Sequence, residues 1–303
     1  MTGKPPSDTL LRLYLPADWP TQQTACDWEL VSTSGARLQR GTRTMDMGIN
    51  GRKALVCGAS AGLGLACATA LAAEGVELVV VARTEGPLRA AAEALAAGSA
   101  APVHWVAADV TTDEGRARMF AAHPAFDIVV TNAGGPPPGD FRNWDRATWV
   151  AALDANMLAP IAIIRQLVDG MMERGFGRIV NITSSAVKAP VDGLGLSTGA
   201  RSGLTGFVAG LARTTVASGV TINNLLPGTF ETARLAGNFA AQAQREGRDA
   251  AEVRAARIAK HPARRLGRPE EFGAACAFLC SAHAGYINGQ NLLLDGGSFG
   301  GVF

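Results

Sequence analysis

Three glycines with a fixed spacing, Gly58, Gly62 and Gly64, lie between a short apolar segment and an alanine-rich one. The apolar segment, Lys53–Cys57, is typical of a strand, and the alanine-rich segment, Leu63–Glu74, is typical of a helix. Between a strand and a helix, such glycines allow a tight turn, a close approach of the backbone to a pyrophosphate, and close packing of the helix on the sheet. The free N–H groups at the start of the helix also favour an anion. The pattern therefore predicts a dinucleotide site, with a merely structural turn as the alternative.

The next predicted strand, Glu77–Ala82, indicates which dinucleotide is favoured. An Asp or Glu at the end of this strand would bind the ribose hydroxyls of NAD(H), but here Ala82 is followed by Arg83. A guanidinium without a competing carboxylate suits the 2′-phosphate of NADP(H). We therefore expect NADP(H) to be preferred over NAD(H), with Ser60 and Leu63 of the glycine loop as further contacts. The alternative is that Arg83 simply points into solvent.

The composition indicates a folded protein and excludes several function classes. Of the 303 residues, 48% are apolar and 18% are charged, which excludes disorder over most of the length. The 28 basic and 26 acidic residues give a net charge of +2, too balanced for a protein that binds nucleic acid mainly through phosphates. No apolar stretch is long enough to cross a membrane and no secretory signal is apparent, so we expect a cytoplasmic protein without membrane contact. The five cysteines do not form a disulfide or zinc pattern, so we expect no metal.

Apolar strand segments alternate with helical segments from residue 47 to residue 303. The predicted strands are Lys53–Cys57, Glu77–Ala82, Val103–Ala107, Phe126–Thr131, Arg178–Thr183, Thr221–Leu226 and Asn291–Leu294. The predicted helices are Leu63–Glu74, Pro87–Ala97, Asp113–Ala122, Ala147–Glu173 with a bend at Pro160, Gly199–Ser218 and Pro269–Leu279. This alternation predicts an α/β fold, a Rossmann-type doubly wound parallel sheet of about seven strands with helices on both faces. Residues 1–46 are too short for a core of their own, so we treat them as an N-terminal extension of a single domain at 47–303.

Further motifs along the chain carry a resemblance to a known family. They are Asp109-Val110, Asn132-Ala133-Gly134, Asn156, Ser184, Pro227-Gly228 followed by Thr232, and the C-terminal runs Tyr286–Gln290 and Asp295–Gly297. Together with the glycine loop, these motifs resemble the short-chain dehydrogenase/reductase family over residues 47–303. The resemblance implies strand order 3-2-1-4-5-6-7 and a homo-dimer or homo-tetramer. It also implies that Asn156 and Ser184 are catalytic and that the remaining motifs before the C-terminal runs contact the cofactor.

The chain departs from this family at the catalytic pair. The family's Tyr, thirteen residues after the Ser, is Ser197 here, and its Lys, four residues further on, is Arg201. No tyrosine lies between Tyr14 and Tyr286 that could replace it. The reference pKa of a phenol is about 10 and an aliphatic hydroxyl is a much weaker acid, so Ser197 cannot copy the role of the phenol. Arg201 can stabilise an oxyanion or hold the nicotinamide ribose, but it hardly ever releases a proton.

A long segment at about 229–268 matches the part of the family that covers the substrate. Eight basic residues lie in it from Arg245 to Arg268. Such a lid could attract a phosphorylated or acyl-carrier substrate by electrostatic steering. The alternative is a solvated pair of amphipathic helices with an ordinary charge pattern.

These observations predict an NADP(H)-dependent oxidoreductase that transfers a hydride between nicotinamide and a small-molecule carbonyl compound or secondary alcohol. The chain is similar in overall pattern to the 3-oxoacyl-(acyl-carrier-protein) reductases. The proton would come through water or from Lys188, four residues after Ser184. Two alternatives stay open. One is a nucleotide-binding pseudoenzyme or scaffold that has lost proton transfer, and the other is a non-redox enzyme that reuses the pocket.

Overall fold

A computed structural model of the protein describes residues 45–302. The N-terminal extension at 1–46 lies almost entirely outside these residues. At the start of the described chain, the Met47 carbonyl accepts a hydrogen bond from the Ala282 N–H at 2.9 Å. The boundary of the dinucleotide-binding domain at about residue 47 remains a prediction.

The described residues form one sheet of seven parallel strands in the order β3-β2-β1-β4-β5-β6-β7. The strands are β1 (Lys53–Cys57), β2 (Glu77–Ala82), β3 (Val103–Ala107), β4 (Ile128–Thr131), β5 (Gly177–Ile182), β6 (Val220–Pro227) and β7 (Asn291–Leu294). Every residue of β4 and β5 is buried, as expected for parallel strands that helices cover on both faces. The predicted fold class and strand order are therefore confirmed.

Helices pack on both faces of this sheet. In the described residues they are α1 (Gly62–Ala73), α2 (Glu85–Gly98), α3 (Asp113–Ala122), α4 (Arg146–Leu153), α5 (Ala159–Glu173), α6 (Gly195–Thr215), α7 (Ala233–Glu246), α8 (Ala250–Lys260) and α9 (Pro269–Cys280). One core lies between the sheet and α1, α2 and α9, and includes Leu71 and Phe272. A second core on the opposite face includes Ile163 of α5 and Val208 of α6. The sheet is thus doubly wound, and all strands end toward the same edge.

The helix predicted at Ala147–Glu173 with a bend at Pro160 is present as a helical segment from Arg146 to Glu173, and its disturbance is a change of helix type. A π-helical turn at Asp154–Leu158 separates α4 from α5. Pro160 has no N–H, so it cannot give the Asn156 carbonyl the hydrogen bond that an α-helix would supply. The wider turn instead lets the Ala159 N–H bond the Asp154 carbonyl, five residues back. The proline therefore causes a change of helix type, and Asn156 lies inside that change.

The segment Arg146–Glu173 is also long and apolar enough, by length and composition alone, to cross a membrane. In this fold, several of its apolar side chains belong to the hydrophobic core. Ile163, Leu167 and Met171 are buried against the sheet in the second core. We therefore assign the segment to the core of the domain.

The predicted lid region contains two helices, α7 and α8. Phe239 and Ala243 of α7 pack with Val253 of α8 and with Leu266 in a small core separate from the other two. The lid begins at the carboxyl end of β6, where the Glu231 N–H donates to the Gly267 carbonyl at 2.8 Å and the Gly267 N–H donates to the Thr229 carbonyl at 3.0 Å. It is therefore anchored beside the edge of the sheet at which the predicted site residues lie.

Candidate active site

The glycine loop has the geometry that its sequence predicts. Gly58 and Gly62 have φ of +62° and +59°, a backbone conformation that favours glycine. At Gly64, a Cβ would collide with the Gly58 carbonyl oxygen and lie 2.8 Å from Asn132 Nδ2. No side chain caps the first turn of α1, so its N–H groups stay available to an anion. The loop can therefore hold a pyrophosphate at the start of α1.

The lid reaches this loop through Thr232. If Gly62 carried a Cβ, that atom would lie 3.7 Å from Thr232 Cγ2, so Thr232 packs against the loop. The Thr232 hydroxyl caps α7 by accepting a hydrogen bond from Leu235 N at 3.3 Å. Gly228, at the lid base, donates to the Leu294 carbonyl at 2.9 Å, and a Cβ there would lie 2.7 Å from the Asp295 Cβ. The predicted contacts Pro227, Gly228 and Thr232 thus lie where β6 leads into the lid.

The residues predicted to bind the adenosine end of the cofactor follow β2 and β3. Arg83 is exposed and forms no ion pair among the described residues. The Asp109 carboxylate accepts hydrogen bonds from the Thr111 N–H at 3.0 Å and the Thr111 hydroxyl at 2.8 Å. Partial burial alone would raise the pKa of Asp109, but these bonds and the charge of Arg83 lower it overall. Arg83 and the Asp109-Val110 pair therefore belong to the same region.

A chain of side-chain hydrogen bonds joins the four neighbouring strands β4 to β7. Thr131 donates to Asn181 Oδ1 at 2.6 Å, and the Asn181 amide donates to Asn224 Oδ1 at 3.1 Å. Asn224 then donates to Asn291 Oδ1 at 2.8 Å. A buried polar group is costly unless it is paired, so this chain of bonds fixes the relative position of β4 to β7. It supports the Asn132-Ala133-Gly134 loop after β4 and Ser184 after β5.

Ser184 lies in the loop between β5 and α6 and is half-buried. Its Oγ accepts a hydrogen bond from the Ala186 N–H at 3.1 Å. The hydroxyl proton is therefore free to be donated to another oxygen. A single-turn helix at Ser185–Val187 follows, and α6 packs against it. This packing brings Ser184 toward the residues of α6.

Asn156 is 4% exposed and lies in the π-helical turn, which α6 also contacts. Its amide nitrogen donates to the Ala152 carbonyl at 3.2 Å. Its Oδ1 is buried and has no hydrogen-bond partner among the described protein residues. Buried polar atoms of this kind normally bind water or a ligand.

Arg201 is 7% exposed and bonds mainly to the backbone. Its Nη1 donates to the carbonyls of Ile182 and Thr183, each at 2.7 Å, and its Nη2 donates to the Ala133 carbonyl at 3.4 Å. Its Nε donates to Ser197 Oγ at 3.2 Å. These bonds use four of the five N–H donors of the guanidinium and link α6 to the ends of β4 and β5.

Burial, and secondly the charge of Arg234, lower the pKa of Arg201 to about 10. The guanidinium therefore still carries its positive charge at neutral pH. Ser197 is 8% exposed, and its Oγ already accepts the bond from Arg201. The two residues predicted to occupy the positions of the family's Tyr and Lys are thus joined to each other.

Arg234 lies beside the candidate site and is not among the residues predicted from the sequence. It lies in the first turn of α7, and its Nη2 donates to the Gly135 carbonyl at 3.0 Å. Gly135 is two residues from Ala133, whose carbonyl binds Arg201. Its position in the sequence, two residues after Thr232, is the one feature that could have indicated a place near the site.

Many of the other basic lid residues are already paired with acidic ones. Arg254 pairs with Glu231, and Arg248 pairs with Glu246 at 3.1 Å. Arg265 pairs with Glu271 at 2.7 Å, which lowers the pKa of Glu271 to about 2. These pairs reduce the positive charge that the lid presents to an approaching substrate.

The cysteines of the described residues, Cys57, Cys67, Cys276 and Cys280, are buried and free. In the range 45–302, no cluster of His, Cys, Asp or Glu has the arrangement of a metal site. Burial raises the pKa of Cys57 to about 12, so its thiol stays protonated. We assign these cysteines to packing.

Comparisons with known proteins support a cofactor-binding oxidoreductase. The sequence model of a family described as enoyl-(acyl carrier protein) reductase matches residues 58–298. An acetoacetyl-CoA reductase of Allochromatium vinosum is 36% identical over 256 residues, which is 82% of this chain and 98% of that protein. A 3-oxoacyl-(acyl-carrier-protein) reductase of Escherichia coli is 30% identical over 253 residues, which is 84% of this chain and 99% of that protein.

A solved structure of similar fold carries a cofactor and a substrate. The L-sorbose reductase of Gluconobacter frateurii, complexed with NADPH and L-sorbose, superimposes with a TM-score of 0.81 and 30% identity. The match covers 85% of this chain and 100% of the L-sorbose reductase chain.

Proposed function

Because this chain belongs to the short-chain dehydrogenase/reductase family of NADP-dependent oxidoreductases, we propose that it reduces a small carbonyl compound at an altered active site. The observation that carries this proposal is the combination of an intact dinucleotide loop with a buried guanidinium in the place of the family's Lys. The relatives named for acetoacetyl-CoA and 3-oxoacyl substrates make 3-oxo compounds the first candidates. Screening NADPH oxidation against ketones, 3-oxo acids, their esters and their thioesters tests the proposal.

NADP(H) fits the residues of the glycine loop and of the loops that follow β2, β3 and β4. The uncapped start of α1 suits its pyrophosphate, and Arg83 suits its 2′-phosphate. Asp109, Asn132 and Thr232 would contact the rest of the molecule. When bound, the nicotinamide supplies or accepts the hydride.

Ser184 is the proposed group that polarises the substrate carbonyl. Its Oγ already accepts from the Ala186 N–H, so its own proton can be donated to the carbonyl oxygen. The positive charge of Arg201 would stabilise the negative charge that develops on that oxygen. One Nη2 proton of Arg201 remains free for a ligand, because the other four N–H donors are used in the protein.

We propose that the proton reaches the product through water bound at Asn156. The partnerless Oδ1 of Asn156 can accept a hydrogen bond from such a water. Ser197 can pass a proton on but cannot supply it, since its hydroxyl is a very weak acid. Lys188 is the other candidate source, although its Nζ lies over the Phe299 ring, 5.8 Å from the centroid.

A pseudoenzyme that binds NADPH without turnover is the second candidate function. It is favoured by the hydrogen bonds of Arg201, because three of the four go to backbone carbonyls. These three bonds link strand ends as a structural clamp would. Tight NADPH binding without oxidation of NADPH by any carbonyl in the panel would support it over the enzyme.

Arg83→Ala is expected to weaken NADPH binding about tenfold while leaving NADH binding nearly unchanged. The reason is the loss of a charge-assisted hydrogen bond to the 2′-phosphate, a group that NADH lacks. Fluorescence titration with both dinucleotides measures the change. Arg89→Ala is the matched control, since Arg89 is exposed on α2 and pairs with Glu93 at 3.8 Å. Equal affinity of the wild type for NADPH and NADH would contradict the proposed preference.

A cytoplasmic location and a homo-dimer or homo-tetramer also remain predictions. Exposed apolar side chains beside the second core are consistent with self-association. Val150, Leu158 and Phe207 are 37%, 48% and 37% exposed. Sedimentation of the full chain would measure the oligomeric state.

A further inference from the structure

We propose that Arg234, together with the buried Arg201, binds an anionic group of the substrate, a carboxylate or a phosphate, next to the reacting carbonyl. The inference rests on the proposed function for the position of that carbonyl. It adds a substrate class and a specificity residue that neither the family motifs nor the relatives provide.

The two guanidinium groups bind the same loop. Arg201 bonds the Ala133 carbonyl, and Arg234 bonds the Gly135 carbonyl, two residues further along the same loop. Arg234 packs closely on that loop. If Gly135 carried a Cβ, that atom would lie 3.0 Å from Arg234 Nη2. Two positive charges thus approach each other where the loop after β4 meets α6 and the start of α7.

The two arginines lack a counter-ion, since among residues 45–302 neither forms an ion pair with a carboxylate. Glu231, the acidic residue near the start of the lid, is engaged by Arg254. Burial and the charge of Arg234 both lower the pKa of Arg201, and no acidic group opposes them. A buried charge without a partner is costly, so a ligand that supplies the anion would be strongly favoured here.

Both guanidinium groups keep free N–H donors. Arg201 has one N–H left, and Arg234 uses only one of its five on the Gly135 carbonyl. The exposed Arg234 side chain can therefore present two parallel N–H groups to a carboxylate or a phosphate. Such an anion would lie near Ser184, because Arg201 bonds the Thr183 carbonyl directly before it.

The same chemistry could come from the cofactor, whose pyrophosphate lies near Thr232 in the proposed site. The experiment therefore separates the two sources of the anion. The full chain, saturated with NADPH, is titrated by calorimetry with malonate and with malonamide, its uncharged counterpart. NADPH affinity is measured in parallel, and the malonate titration is repeated without NADPH. Arg234→Gln, Arg234→Lys and the control Arg245→Gln, an exposed residue in the last turn of α7, are compared with the wild type.

We expect malonate to bind the wild-type complex at least about tenfold more tightly than malonamide. Arg234→Gln should remove this difference in affinity, and the control Arg245→Gln should not change it. Arg234→Lys should keep part of the difference, because the Lys ammonium retains the positive charge without the fork of the guanidinium. NADPH affinity should change less than about twofold in all three variants. If Arg234→Gln instead weakens NADPH about tenfold and leaves malonate unchanged, the arginine serves the cofactor and the proposal is overturned. Equal binding of malonate and malonamide to the wild type also overturns it.

Turnover provides a separate readout. Acetoacetate and its methyl ester share the ketone and differ in the anionic group. Preference for acetoacetate that is lost in Arg234→Gln supports both the proposed function and the anion site. Malonate binding that depends on Arg234, in a protein that reduces neither compound, supports the anion site and counts against reduction of 3-oxo compounds.

Discussion

Ser184→Ala is expected to lower kcat about 10²–10³-fold while changing the affinity for NADPH by less than about twofold. The substitution removes the only side-chain hydroxyl proton that we assign to the carbonyl oxygen, and that hydrogen bond strengthens as negative charge develops in the transition state. Ser184 Oγ also accepts the Ala186 N–H at 3.1 Å, so the loop loses one local bond. Loss of that bond alone would lower stability slightly, which a thermal unfolding measurement detects separately from kcat.

Ser185→Ala is the matched control for this experiment. Ser185 is the adjacent, half-buried serine, and its backbone carbonyl, not its side chain, bonds the N–H groups of Lys188 and Ala189. It should keep most of the activity. Lys188→Met tests the other proposed proton source in the same assay, and a loss as large as that of Ser184→Ala would favour Lys188 over water at Asn156. A wild type whose rate is unaffected by Ser184→Ala would show that the carbonyl is polarised elsewhere.

Residue types and spacing are sufficient to predict the sheet and the cofactor loop, whereas the strand order came from the family resemblance. Continuous apolar strands such as Glu77–Ala82 are expected only where helices cover both faces, and Gly64 has to be glycine because the strand–helix turn leaves no space for a Cβ. These features depend on short segments of chain. Their physical causes are visible in the residue types and their spacing.

The remaining features depend on contacts between distant parts of the chain. Pro160 predicts a disturbance of its helix, but that one residue is compatible with a bend as well as with the π-helical turn that α6 contacts in the structure. The partners of Arg201 are backbone carbonyls such as that of Ala133, 68 residues away, and backbone acceptors leave no residue pattern. Arg234 belongs to a segment rich in charged residues, so only the fold distinguishes it from the lid arginines that pair with Glu231 or Glu271.

Restoring the family pair, Ser197→Tyr with Arg201→Lys, is expected to raise kcat about 10²–10⁴-fold if the rest of the pocket is competent. A phenol would supply the proton that Ser197 cannot, and a Lys would lower the pKa of that phenol through its charge. The substitution at 201 has a structural cost. Lys has one ammonium with three donors, so it cannot reproduce the bonds of Arg201 to the carbonyls of Ile182, Thr183 and Ala133.

The single variants separate these two effects. Arg201→Lys alone should lower the free energy of unfolding by about 2 kcal/mol, since charge-assisted bonds to buried carbonyls are lost, and it should not raise kcat. Ser197→Tyr alone should recover part of the rate, because Arg201 can still provide a positive charge near the phenol. A folded double variant that binds NADPH yet remains inactive would mean that the missing proton donor is not what limits the wild type. The buried Arg201 would then act as a structural clamp, and the pseudoenzyme would be the better account of this chain.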